Sequence, residues 1–132
     1  MNTALLVIGS IFVGVAALFH VYIFTLESLT WTKPRTWKIF GIPSQADADT
    51  IKPMAFNQGF YNLFLGIGAA LGLILLASVP AAGLALVFMG AGSMVLAALV
   101  LLLSSKTSRR SALIQGLPPF IGLVFVALAI AF

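Results

Sequence analysis

Four stretches of this chain, roughly residues 3–29, 54–77, 81–103 and 111–132, are long and predominantly apolar. Each reaches the roughly 20 residues that a helix needs to cross a hydrocarbon layer about 30 Å thick. Only the fourth is interrupted, by Pro118 and Pro119. With 61% hydrophobic and 8% charged residues, a water-soluble domain of 132 residues would lack the polar surface to cover itself. The pattern predicts an all-α, four-helix transmembrane bundle, with residues 1–132 forming one domain, because the short second and third connections force their flanking helices to be antiparallel neighbours.

The seven Lys and Arg residues fall in two connections only. Lys33, Arg35, Lys38 and Lys52 lie in the first, and Lys106, Arg109 and Arg110 in the third. In a four-span protein those two connections share a side of the membrane, which the positive-inside rule makes cytoplasmic, so both termini are expected to be extracytoplasmic. Cations placed beside spans set orientation and meet anionic lipid head groups, so nucleic acid is not an expected partner despite the net charge of +4. The first stretch lacks a basic leading region and a small-residue cleavage pattern and is expected to be a retained span. With no cysteine, disulfides and thiolate chemistry are excluded.

The connection of residues 30–53 is long and patterned. Trp31 and Trp37 bracket Lys33, Pro34 and Arg35 in the mixture typical of the head-group region, and Gly41 and Pro43 mark a turn. Ser44 with Asp47 resembles a capping box that starts a short surface helix ending at Pro53. A lid over the cytoplasmic mouth and a membrane-anchored linker both fit this pattern. Gly68 and Gly72 have GxxxG spacing, Gly59 and Gly66 repeat at seven, and so do Gly83 and Gly90. Such glycines are expected to face other helices. Whether those helices belong to one bundle or to a homo-oligomer is left open.

Polar residues within the spans crowd toward one leaflet: His20 and Glu27 in the first, Asn57, Gln58, Tyr61 and Asn62 in the second, Gln115 in the fourth. His20 and Glu27, seven apart, share a helix face and are separated by about 10 Å along the axis. An antiparallel second helix brings Glu27 level with Asn57 and Gln58, and His20 level with Tyr61 and Asn62. Outward from His20 the stripe continues through Ala17, Ala16, Val13 and Gly9, small enough to leave room for a long apolar group. Pro118 and Pro119 free the carbonyls of Ile114 and Gln115, so a fourth helix running through them is expected to bend and to bring Gln115 into the cluster. A helix starting at Pro118 would span only about 22 Å.

Buried ionisable groups within a span are functional-site candidates by default. His20 and Glu27 are therefore the candidate catalytic pair, an acid and a base for a proton shift. Asn57, Gln58, Tyr61, Asn62 and Gln115 are the candidate ligand-binding groups. The expected partner is a membrane lipid or other lipophilic ligand with one polar end, either bound without turnover or isomerised. One histidine and one intramembrane carboxylate are too few for a typical metal site, and no cofactor is expected. A proton-coupled transporter and a structural or partner-binding subunit are the alternatives. Against transport stand the position of Glu27 at the cytoplasmic end and the charge split of seven cations to none.

The runs HVYIFTLE from His20 to Glu27, NQGFYN from Asn57 to Asn62 and IQGLPP from Ile114 to Pro119 resemble a family of small bacterial four-helix membrane proteins known only as a domain of unknown function. The similarity covers essentially the whole chain. It implies the four-span fold and a multi-pass location in the bacterial inner membrane, and brings no activity with it. A fainter likeness, of fold only, is to membrane-embedded isomerase and sterol-binding families.

Overall fold

The computed structural model describes residues 1–132. Asn2 caps the first helix, its side-chain oxygen accepting from the Leu5 amide at 3.2 Å. Helix α1 runs over Thr3–Phe24 and continues as a π-helical turn, Thr25–Leu29. A short α2 (Pro34–Ile39) follows, with Pro34 in its first turn, and it ends where Gly41 takes φ 74°. Helix α3 is Gln45–Leu75, α4 is Pro80–Ser104 and α5 is Arg109–Ala131. The long helices form an up-down bundle in which α1 packs on α3 and α5, and α4 on the same two, with α1 and α4 meeting across the shorter diagonal. The Asn2 amide donates to the Ala129 carbonyl at 2.8 Å, so the two termini share one end, as four crossings require.

Four helices are long and apolar enough to cross a membrane, and the chain is a multi-pass membrane protein. Its outside is apolar accordingly, with Leu18 73% and Leu103 78% exposed. Its inside is built of small side chains. Val13, Ala16, Ala17, Ala69, Val87, Ala91, Met94 and Val126 form the core. Lipid supplies no hydrophobic drive between helices, so close packing has to hold them together.

Glycine makes that approach feasible. A Cβ on Gly83 would lie 2.6 Å from the Leu76 amide nitrogen and 2.9 Å from the Gly72 carbonyl, and one on Gly72 2.8 Å from the Val87 nitrogen. Gly9 and Gly122 seat α1 on α5 in the same way. The GxxxG pair does not act as a unit. Gly72 meets α4, whereas a Cβ on Gly68 would touch nothing within 4 Å. The stripe Gly9, Val13, Ala16 and Ala17 leaves no apolar cavity either, because Val126 and Gly122 of α5 lie directly against it.

One expectation for the first connection is corrected. Ser44 does cap a helix, accepting from the Asp47 amide at 3.1 Å, but that helix passes through Pro53 and becomes the second span. Proline removes one hydrogen bond. Burial of Ala48 and Ala55 on either side of it holds the helix together, as these residues pack with Trp31 and Trp37 in a second small core. Trp31 donates from Nε1 to the Ala48 carbonyl at 2.8 Å, and Trp37 from Nε1 to Gln45 Oε1 at 3.1 Å. Residues 30–44 thus fold against the start of α3. At roughly 46 Å for its 31 residues, α3 is longer than the hydrocarbon layer. In the fourth span, α5 runs unbroken through Pro118 and Pro119, so it does not begin there.

Candidate functional site

The end of α1 and the first turns of α3 are joined by two side-chain hydrogen bonds. Asn62 Nδ2 donates to Glu27 Oε2 at 2.8 Å, and Ser28 Oγ donates to the Phe56 carbonyl at 2.8 Å. Between the two sits Gly59, where a Cβ would collide with Ser28 Oγ and lie 3.1 Å from Glu27 Cβ. Phe56, Gly59 and Asn62, three apart, form one stripe of α3 facing the π turn.

The π turn itself has a local cause. Thr30 donates its amide to the Thr25 carbonyl at 3.0 Å, and its hydroxyl bonds the same oxygen at 3.1 Å. Its hydroxyl also lies 3.2 Å from that of Thr36, tying the turn to α2. Turns of this kind are rare and recur at functional sites. Glu27 lies in the middle of this one, buried, with one oxygen held by Asn62 and the other accepting no hydrogen bond from the protein.

Glu27 lines a cleft of about 180 Å³ with Ser28, Trp31, Thr32, Lys52 and Phe56. No hydrogen bond or ion pair joins Lys52 to Glu27. A second, wide-open cleft of about 450 Å³ lies at the other end of the same α1–α3 seam, between Leu6, Val7 and Ile11 of α1 and Leu73 of α3. It offers only Ser10 as a polar side chain. Neither cleft reaches His20.

The candidate residues divide accordingly. Glu27 and Asn62 are brought together. His20 is buried, but its Nδ1 bonds the Ala16 carbonyl of its own helix at 2.9 Å, and across the seam it stands level with Gly66, one turn beyond Asn62. Asn57, Gln58 and Tyr61 lie on the exposed side of α3. Gln115 is on α5, which packs on α1 and α4 rather than on α3, and its side chain makes no hydrogen bond. It does not join the cluster. Sequence reasoning missed Ser28, Thr32 and Phe56 and treated Trp31 and Lys52 as loop residues. One signal was available: the small residues Ala48, Ala55, Gly59, Gly66, Ala69 and Gly72 mark the inward stripe of α3, and of the four candidate residues on that helix Asn62 lies nearest its centre.

A family described as "Protein of unknown function (DUF1304)" matches residues 14–127, a span that holds every residue of the cleft and of the candidate set. The chain belongs to this family. No curated protein and no solved structure matches it.

Proposed function

We propose that this family member is a bacterial inner-membrane protein that receives the polar end of an amphiphilic molecule in the cleft beside Glu27, while the apolar remainder of that molecule stays in the lipid alongside the bundle. The observation that carries the reading is a buried carboxyl with one oxygen fixed by Asn62 and the other without a protein partner, in a cleft at the basic end of the bundle. No buried side-chain polar atom lacks a partner, so the free oxygen of Glu27 is accessible and a ligand donor can reach it. The cleft falls below the roughly 300–1,000 Å³ of sites that enclose drug-sized molecules, which favours partial entry of a polar end.

All seven cations lie at one end of the bundle, Lys33, Arg35 and Lys38 at and in α2, Lys52 near the start of α3, Lys106 between α4 and α5, and Arg109 and Arg110 at the start of α5, which supports a cytoplasmic position for this end and an outer position for both termini. Proton-shift chemistry using both Glu27 and His20 would need one substrate to touch both groups. His20 lies outside the cleft, so binding is favoured over turnover.

Native mass spectrometry of the protein released from membranes tests the reading. The wild-type chain should carry an amphiphile that Glu27→Ala loses, with helicity and elution volume unchanged. Equal retention by the variant would overturn it.

A further inference from the structure

The cleft carries its two charge-bearing groups at separate places. Glu27 is buried within the π turn at its inner side, while Lys52 is exposed on α3 at its rim. They do not pair with each other, although an exposed lysine and a nearby carboxylate ordinarily could. Lys52 forms no ion pair with Asp47 or Asp49 either, while Gln45 donates to Asp49 at 2.9 Å. Thr32, also on the lining, uses its hydroxyl in no hydrogen bond within the protein. The cleft therefore presents an accessible acceptor that no protein group engages, the second oxygen of Glu27, together with cationic and hydroxyl donors.

Depth in the membrane matches that polarity. Trp31 belongs to the lining and Trp37 packs beside it, which sets the mouth at the head-group level where tryptophan concentrates. Glu27 lies on the hydrocarbon side of that level, at the end of the first span.

We infer that the cleft recognises an ammonium–phosphate zwitterion, the head group of an ethanolamine phospholipid, with the ammonium donating to Glu27 and the phosphate held by Lys52 and Thr32. This rests on the amphiphile reading above and names its ligand class. A primary ammonium has three N–H donors, and a trimethylammonium has none with which to satisfy the free oxygen of Glu27. A glycerol head group has hydroxyl donors but no cation to pair with the carboxylate. Charge-assisted hydrogen bonds carry the discrimination.

Protein reconstituted with equal amounts of ethanolamine, choline and glycerol phospholipids of matched chains, then released and weighed intact, tests this. The wild-type chain is expected to retain the ethanolamine lipid about tenfold over either of the others, as one charge-assisted hydrogen bond allows. Glu27→Gln should erase the preference over choline lipid, and Lys52→Gln should weaken retention of all phosphate-bearing lipids. Water-soluble phosphoethanolamine is the second probe. Its displacement of the lipid would mean that the head group suffices, and lipid retention undisturbed by it would mean that the acyl chains contribute; either result agrees with the zwitterion. Retention that depends on Glu27 but favours no head group would overturn the zwitterion and spare the amphiphile reading. Retention indifferent to Glu27 would overturn both.

Discussion

The seam between α3 and α4 and the basic end of the seam between α1 and α3 use glycine toward different ends. At Gly72 and Gly83 the backbones themselves touch, and no side chain larger than hydrogen fits between them. At Gly59 the space is taken by Ser28 and by the stem of Glu27, so polar groups enter the interface and reach α3. The first contact is sealed and apolar. The second holds its helices by two hydrogen bonds and leaves a cleft beside them. A membrane bundle can thus spend a glycine on rigidity or on a site, and what faces it decides which.

Substitutions can break this contrast at several strengths. Gly83→Ala should have the largest effect, because its Cβ would meet backbone on three sides and no rotamer change relieves that. A loss on the order of 3 kcal/mol is expected, read as a lower unfolding temperature in detergent. A fully stable variant would mean that α3 and α4 are further apart than described.

Asn62→Leu comes next. It strips Glu27 of its one side-chain partner, at a cost of about 1–3 kcal/mol. Replacing Glu27 and Asn62 together by Leu should recover most of that loss, and strictly additive effects in the double-mutant cycle would show that the two residues do not interact.

Trp31→Phe keeps an aromatic ring but drops the donor to the Ala48 carbonyl and removes part of a buried side chain, a loss of about 1–2 kcal/mol. Hydrogen exchange should quicken in residues 30–44 while α4 and α5 stay unchanged. Exchange spreading through the bundle would instead make this small core part of the main fold. Smallest of all should be Gly68→Ala, within about 0.5 kcal/mol, since the added methyl meets nothing. A large loss there would reveal a second copy of the chain covering that face of α3.

Much of this was legible from residue order. Hydropathy located all four spans, and the cations marked one end of the bundle. The candidate site was legible only in part. Seven polar residues crowd one leaflet in the sequence, but Asn57, Gln58 and Tyr61 point away from the other helices and Gln115 sits on a helix that does not adjoin α3. Spacing says which residues share a face. It does not say which face turns inward, since that depends on which stripe lets the neighbouring backbone approach. Pro53 misleads for a related reason: its local cost is outweighed by burial of Ala48 and Ala55 against two tryptophans drawn from elsewhere in the chain.

The sequence by itself determined that the chain crosses a membrane four times and which ends of its helices carry charge, because lipid solvation depends on composition and length alone. Tertiary structure decided that Glu27 meets Asn62, that His20 turns back to its own helix and that Lys52 shares a cleft with Glu27. Those pairings follow from the π turn at Thr25–Leu29 and from the offset of α1 against α3 at Gly59 and Gly66. Both are set by how closely two backbones can approach, a property of the pair of helices and of neither sequence segment alone.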